Sequence, residues 1–598
     1  MINCVAVKVM PGQSPILPDN GRVSDLGDGR LGLADGVTLM ELSGCYQHLF
    51  SNPIILAKVD NECQELYRKA SDGTVIEFDD ISCPHAFRAY QRSVVFLMIL
   101  AAKEIISKTA RVVVEHSINK NYYCEIPDEG IEITQELLDK IEERMREIVS
   151  ADLPIEKFSI PLEEGIKLAR EFALFDKVDF LKYRRTTNIN FYRLSWFYDY
   201  FYGPMVPSSG YLTKFKLHKT NGGKGTGFTL QFPVHSNLSE FSRATDTPPL
   251  ACSPGSLEEL SELKALKKMS KVFEESNQWA KILKVDTVGA LNNVIAGGGW
   301  GDIVRVSEAL HEKKIAEIAD MIHRQGRHIV LIAGPSSSGK TTFAMRLCIQ
   351  LRVNGLRPRI ISLDNYYLSR EHIPLDEYGE RDFESIDAID VRQINEDLTA
   401  LLAGAEVPMP GFNFASGKRE YNGSVMKLAR DEVLIIEGIH GLNEKLTSGI
   451  PKKDKFKIFI SALTQLNIDD HNRIPTTDTR LIRRIVRDNR TRGMDTASTI
   501  AMWPSVLRGE ARYIFPFQEE ADVFFNSALV YEMCVLKQYV EASLFHIQRA
   551  VPEYTEAKRL IKFLDSFLGM SSEQIMPNSI LREFIGGSCF HNERAAGA

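Results

Sequence analysis

The sequence predicts an α/β fold: a parallel-sheet domain in the C-terminal half, preceded by a small β-rich module and a region of mixed helices and strands. Three observations carry this. An apolar strand at 329–333 runs into Gly334-Pro335-Ser336-Ser337-Ser338-Gly339-Lys340-Thr341, a match to G-x-x-x-x-G-K-[ST], and a helical run at 341–352 leaves it. Two further apolar stretches, 359–363 and 432–436, each end in a carboxylate, Asp364 and Glu437. Near the N-terminus, β-like stretches at 5–9 and 54–59 flank a Gly/Asp-rich turn region at 25–36.

Composition narrows the rest. At 598 residues the chain exceeds one compact domain, and its length suggests roughly three or four units. Apolar residues make up 44% and charged residues 25%, an ordinary globular balance that excludes large-scale disorder. The formal charge of -7 and pI near 6.1 exclude a global basic field for nucleic acid, so RNA contact requires a local patch. Nine cysteines lie scattered without C-x-x-C spacing, which points to reduced thiols rather than a disulfide framework or zinc ribbon. Met1-Ile2-Asn3-Cys4 has no basic region leading into an apolar one, so no signal peptide is expected. The longest apolar run, 94–102, falls far short of the ~20 residues that span a bilayer. A cytoplasmic protein with no membrane partner is expected.

Along the chain, 86–109 reads as a helix with Val94, Leu97, Met98 and Ala101 on one buried face. A strand is expected at 111–115 and an amphipathic helix at 134–149. The aromatic run Phe191-Tyr192-Arg193-Leu194-Ser195-Trp196-Phe197-Tyr198-Asp199-Tyr200-Phe201-Tyr202 suits a packed core; stacking of nucleic-acid bases is the other use of such density. Pro and Ser mark a linker at 246–255, and Ser256 with Glu259 opens a charged helix at 256–276. Gly297-Gly298-Gly299 precedes a helix at 304–325. The tail, 551–598, contains a helix-like stretch at 556–567 and is expected to dock on the preceding domain.

The glycine-rich loop is where chemistry is expected. Its glycines let backbone N–H groups close around phosphate oxygens, and the helix N-terminus faces the anion. Gly334, Pro335, Ser336, Ser337, Ser338, Gly339, Lys340, Thr341 and Thr342 form the candidate ATP site. Lys340 reaches the β- and γ-phosphates and the Thr341 hydroxyl ligates Mg²⁺. Asp364, at a strand's C-terminal edge, is placed to accept the proton of an attacking hydroxyl, or simply opens a turn. Glu437 closes an apolar strand as a metal carboxylate does. Arg480, Arg483, Arg484 and Arg487 share one helix face; they suit either a mobile basic lid over the transferring phosphoryl group or a solvated face paired with Asp478 and Asp488.

In this order the pieces at 329–547 resemble the uridine kinase/phosphoribulokinase family of P-loop kinases. Asp364-Asn365-Tyr366-Tyr367 is similar to the family's catalytic Asp-Ser-Phe-Tyr segment, and Ile436-Glu437-Gly438-Ile439 to Phe-Glu-Gly-Ile. The resemblance implies Asp364 as catalytic base and, with Thr341 and Glu437, as a Mg²⁺ ligand. Asp382-Phe383-Glu384-Ser385-Ile386-Asp387-Ala388-Ile389-Asp390 resembles Asn-Phe-Asp…Asp-Ala-Phe-Asp, which puts Glu384 at the ribose-binding carboxylate, an Asp-to-Glu departure. Arg484 is implied for the nucleoside hydroxyls, and Arg487 and Arg492 for phosphates. The Tyr and His with which pyrimidine-specific members recognise the base correspond to Phe412 and Gly417. Polar groups of that kind carry orders of magnitude of discrimination.

The N-terminal half has its own resemblance. Residues 1–80 look like the TGS module, a β-grasp domain of threonyl-tRNA synthetases, and 84–240 like the same enzymes' α+β second additional domain, which edits mischarged tRNA. The editing motif His-Ser-x-x-His is matched by Arg92-Ser93-Val94-Val95-Phe96, without either histidine. A binding or regulatory remnant is therefore expected there. The division is completed by a linker and helical region at 241–325, a P-loop kinase domain at 326–550 and a helical extension at 551–598. The resemblance implies an ATP- and Mg²⁺-dependent nucleoside kinase, uridine kinase first, with RNA contact through the N-terminal half and a homo-oligomer as partner expectations. Two alternatives stay open: a kinase of another hydroxylated metabolite, and an RNA-associated regulatory protein switched by ATP.

Overall fold

The computed structural model describes residues 3–8, 14–18, 21–27, 29–118, 121–128, 130–220, 227–233, 267–377, 379, 381–413, 416–464 and 466–590. Strands β1 (Asn3–Val7), β2 (Val23–Gly27) and β3 (Arg30–Leu33) precede helix α1 (Leu39–Tyr46); β4 (Ile54–Val59), β5 (Glu62–Glu65) and β6 (Val75–Asp80) follow it. They form one mixed sheet in the order β2-β3-β1-β6-β4-β5, with β1 parallel to β6. Helix α1 starts at a capping box: Thr38 Oγ1 accepts from the Glu41 amide at 3.2 Å, and Glu41 Oε2 accepts from the Thr38 amide at 2.8 Å. Leu39, Leu42 and Cys45 then pack with Val5, Leu31, Ile54 and Ile76 into a core of the module's own.

Next come α2 (Pro84–Ile105), β7 (Val113–Ile118), β8 (Asn121–Glu125), α3 (Gln135–Ser150), β9 (Ile155–Pro161), α4 (Leu162–Glu171), α5 (Phe175–Leu181), β10 (Asn188–Leu194), β11 (Phe197–Asp199), β12 (Lys216–Lys219) and β13 (Gly227–Gln231). The strands form two antiparallel sheets, β12-β13-β8-β7 and β11-β10-β9. Phe191, Tyr192, Phe197, Tyr200 and Phe201 are each at most 2% exposed, so the aromatic run is core and not a stacking platform. Phe197 and Phe201 both meet Phe96 of α2, at 5.7 and 5.4 Å between ring centroids.

The expected linker at 246–255 and the start of the helix expected at 256–276 lie outside the described residues. The described part of that helix is α6 (Lys267–Leu283), which runs on past 276. Helices α7 (Val288–Ala296) and α8 (Trp300–Gln325) follow, the latter starting ahead of the expected 304.

The C-terminal domain runs β14 (Ile329–Ala333), α9 (Lys340–Val353), β15 (Arg357–Ser362), α10 (Val391–Leu402), β16 (Glu406–Pro408), β17 (Gly411–Asn413), β18 (Lys418–Glu420), β19 (Val425–Lys427), β20 (Glu432–Glu437), β21 (Lys455–Ser461), α11 (Thr476–Thr491), α12 (Thr496–Tyr513), β22 (Val523–Asn526), α13 (Glu532–Phe545), α14 (Tyr554–Leu564) and α15 (Arg582–Ile585). Its sheet is parallel throughout, in the order β15-β20-β14-β21-β22. Strands β14, β20 and β21 are buried along their whole length; β14 and β20 accordingly read as near-continuous apolar runs, while β21 buries Lys455 and Lys457 against Glu444.

A buried polar seam joins the two halves of the chain. The Lys177 ammonium, fully buried on α5, lies 2.6 Å from Asp469 and 3.2 Å from Asp199. His471 Nδ1 meets Asp199 at 2.6 Å, and Asn472 donates to the Tyr200 carbonyl at 2.9 Å. Farther out, Arg111 binds Asp470 with both Nε and Nη2. No helix among the described residues is long and apolar enough to cross a membrane.

Candidate active site

Parallel register brings the motif residues to one edge. Ile332 of β14 and Ser362 of β15 both stand opposite Glu437 of β20, so the loop after β14, the turn after β15 and the carboxylate closing β20 share the C-terminal rim of the sheet. A Cβ on Gly334 would sit 2.0 Å from the Ile460 carbonyl oxygen, so only glycine lets the loop leave β14 beside β21. Gly339 adopts φ 84 and turns the chain into α9 without supplying a capping side chain. Lys340 Nζ folds back across the loop to the carbonyls of Gly334 at 3.0 Å and Pro335 at 3.2 Å. The Ser337 and Ser338 hydroxyls are buried with no hydrogen-bond partner, the kind of unsatisfied donor that a phosphate oxygen would accept.

Glu437 accepts from Ser362 Oγ at 2.8 Å and from Thr341 Oγ1 at 3.4 Å. Burial raises its carboxyl to about 7, and the neighbouring Asp364 charge adds to that while Lys340 opposes it. Asp364 sits in the short 3-10 turn after β15. Burial also pushes the Lys340 ammonium below its ordinary value, against the charges of Glu437, Asp364 and Glu583. A hydroxyl and adjoining carboxylates are hard oxygen donors, and Mg²⁺ is commonly held by one or two of these together with substrate phosphates; this donor set fits that ion. Among the described residues, no group of three or more His, Cys, Asp and Glu side chains forms a protein-only metal cage.

The Glu384 carboxyl is raised to about 7, first by burial and against the pull of Arg484. Its Oε2 is buried without a hydrogen bond, and a Cβ on Gly509 would lie 2.2 Å from its Cβ. Tyr367 donates to the Phe383 carbonyl at 3.0 Å, and its ring lies 5.9 Å from that of Phe412 on the β17–β18 hairpin. Gly417 takes φ 67 in the hairpin turn. Arg484 Nη1 donates to Ser336 Oγ at 3.0 Å while its Nε holds Asp488 at 3.1 Å. Arg487 and Arg492 also face Asp488, at 3.1 and 3.5 Å. Burial, with Arg487 alongside, lowers Arg492 to about 10.

The stretch expected as a basic lid is a packed helix, and half of its arginine face is structural. Arg480 is 1% exposed and forks onto Glu510 of α12, with Nη2–Oε2 at 2.8 Å. Arg483 is fully buried against Glu532 and the Ser527 carbonyl. Glu510 also accepts from the Ser336 amide at 3.0 Å, so this pair fixes the start of the glycine-rich loop. The spacing of the arginines identified their common face; the carboxylates that cover it come from distant segments and left no local signal. Ser362, Gly509 and Glu510 were missed because no local pattern links them to the site, whereas Asp488, on the arginine helix itself, was named as a pairing partner. Glu583 was missed as well: its Oε2 accepts from the Thr342 amide at 3.1 Å and the Thr342 hydroxyl at 2.8 Å.

At the segment matched to the editing motif, Arg92 donates to the Pro204 carbonyl at 2.8 Å and Ser93 to the Ala89 carbonyl at 2.8 Å. Ser93 and Phe96 are fully buried. This segment is interior packing of α2.

Comparison with known proteins agrees with this two-part organisation. Residues 329–532 match the model of the phosphoribulokinase/uridine kinase family. A uridine kinase of Staphylococcus aureus is 29% identical over 196 residues, covering 33% of this chain and 85% of that protein. A threonine–tRNA ligase of Carboxydothermus hydrogenoformans is 29% identical over 222 residues, 35% of this chain; the chain spans about a third (34%) of that ligase's length. A solved structure described as a possible uridine kinase from Bacillus stearothermophilus is 17% identical, covers 36% of this chain and all of that one, and gives a TM-score of 0.25. The stretch 329–532 is thus a P-loop kinase domain of the phosphoribulokinase/uridine kinase family, carried behind an N-terminal half similar to threonine–tRNA ligases.

Proposed function

We propose that the chain is an ATP-dependent nucleoside kinase that transfers the γ-phosphoryl group to the 5′-hydroxyl of a nucleoside, with uridine the first candidate. The observation that carries this reading is the meeting of Lys340, Thr341, Asp364 and Glu437 on one sheet rim, with Glu384 and Arg484 beside it. Asp364 takes the proton of the hydroxyl as its oxygen adds to the γ-phosphorus, and the bond to the bridging oxygen breaks to release ADP. Lys340, with Arg487 and Arg492, balances charge on the phosphoryl oxygens. Thr341, Glu437 and Asp364 would hold Mg²⁺, which when bound offsets the charge of the β- and γ-phosphates. Ionised Glu384 and Arg484 orient the ribose hydroxyls. Phe412 and Gly417 give the base an apolar wall, so tolerance of more than one base is expected. The same reading divides the chain at 1–80, 84–240, 241–325, 326–550 and 551–598, and places it in the cytoplasm.

The test is a panel of nucleosides incubated with Mg-ATP and purified protein. Formation of a nucleoside monophosphate supports the assignment. Its absence, with phosphorylation of a non-nucleoside alcohol, moves the substrate to another hydroxylated metabolite. A second reading, RNA contact through the N-terminal half, rests on its likeness to threonine–tRNA ligases. It predicts tRNA binding that persists in Asp364→Asn.

A further inference from the structure

We propose that the C-terminal segment 580–587 is an intramolecular gate on the nucleotide site, in which the Glu583 carboxylate occupies a phosphate-binding position of the glycine-rich loop. The proposal rests on the assignment of that loop to ATP and adds a regulatory contact that the kinase reading does not require.

The first-turn amides of α9 are unsatisfied by the helix itself, and Gly339 supplies no capping side chain. These are the donors a nucleotide's phosphates use. One of them is already taken. Glu583 Oε2 accepts both the Thr342 amide, at 3.1 Å, and the Thr342 hydroxyl, at 2.8 Å, from a position 241 residues downstream. A carboxylate oxygen and a phosphate oxygen are both acceptors, and a backbone amide has one hydrogen. A phosphate that engages Thr342 therefore displaces Glu583.

The rest of the segment is built to hold that carboxylate in place. Ile580 packs directly on the loop: a Cβ on Gly339 would lie 2.5 Å from Ile580 Cγ2. Arg490, in the last turn of α11, donates from Nε to the Phe584 carbonyl and from Nη2 to the Glu583 carbonyl, both at 2.9 Å. Phe584 is fully buried, with the Arg483 guanidinium 5.0 Å from its ring centroid. Gly586 and Gly587, at φ 95 and 72, turn the chain away immediately afterwards. Helix α11 thus grips the gate through Arg490 and touches the loop through Arg484 on Ser336, so one rigid element senses both. Nucleotide entry and release of 580–587 are coupled: the apparent affinity for nucleotide is the intrinsic one reduced by the fraction of molecules with the gate open.

The experiment uses the full chain. Mg-ATP and Mg-ADP binding are measured by calorimetry for the native protein, Glu583→Gln and Glu583→Ala. Both variants are expected to bind more tightly, Glu583→Ala by roughly tenfold, as a gate closed in about nine molecules of ten requires. The KM for ATP should fall by the same factor. Hydrogen exchange gives the second readout. Mg-ATP should accelerate exchange at 581–586 in the native protein while slowing it at 334–342. Equal or weaker nucleotide binding by Glu583→Ala, or protection of 581–586 by Mg-ATP, overturns the gate and makes the segment a fixed wall of the site. If none of the three proteins binds nucleotide, the loop assignment falls and the gate with it.

Discussion

Glu384 carries a pH signature that falls near neutrality. Its carboxyl is raised from 4.5 to about 7, with burial as the leading cause, Arg484 opposing and Glu510 reinforcing. At 1.36 kcal/mol per unit, that shift represents at most about 3 kcal/mol against the ionised form. At pH 7 roughly half the molecules carry the charge, and at pH 6 about a tenth. If the ionised carboxylate orients the acceptor's hydroxyls, kcat/KM for the nucleoside should fall about fivefold from pH 7 to pH 6 and nearly tenfold per unit below that. Glu384→Gln should lower the plateau and flatten the profile. Stability moves the other way. Because the folded pKa is raised, the stabilising contribution is complete below pH 4.5 and is lost as pH rises through about 7. Urea unfolding of the native protein should therefore weaken between pH 5 and pH 8 relative to Glu384→Gln. A native kcat/KM that is level from pH 6 to pH 8, or one whose slope survives in Glu384→Gln, would refute the assignment of Glu384 to the acceptor.

Two predictions concern buried ion pairs. Glu510→Ala strands the 1%-exposed Arg480 and frees the Ser336 amide, so it should cost about 3–5 kcal/mol in urea unfolding and weaken ATP binding. Replacing both members with Met should recover most of the stability, because the pair's own desolvation cost disappears with it. At the seam between halves, Lys177→Met leaves Asp199 and Asp469 buried without their cation. It should likewise cost about 3–5 kcal/mol and split a single calorimetric transition into two.

How much of this was legible follows from which forces act locally. The glycine-rich loop, the strand at 329–333 and the carboxylates Asp364 and Glu437 were readable because parallel strands are continuous apolar runs and phosphate binding demands glycines at fixed spacing. The aromatic run was correctly assigned to a core, since its density exceeds what a surface can solvate. Helix starts drifted: α8 begins at Trp300 instead of 304. The arginine helix was half misjudged. A face at i, i+3, i+4, i+7 states only that Arg480, Arg483, Arg484 and Arg487 point one way. Whether they meet solvent, substrate or a carboxylate depends on Glu510 and Glu532, which no local pattern links to them. Glu583 is the extreme case, since its partner Thr342 lies 241 residues away.

In the proposed reaction Asp364 accepts the acceptor's proton at a loop that binds Mg-ATP. Asp364→Asn is nearly isosteric and keeps the turn after β15 but cannot take up that proton. Steady-state transfer to the best nucleoside of the panel, measured beside Mg-ATP binding by calorimetry, separates the two functions. A loss of about 10²- to 10⁴-fold in kcat is expected, while Mg-ATP, still held by Lys340, Thr341 and Glu437, continues to bind. Native turnover by Asp364→Asn would contradict the proposed reaction.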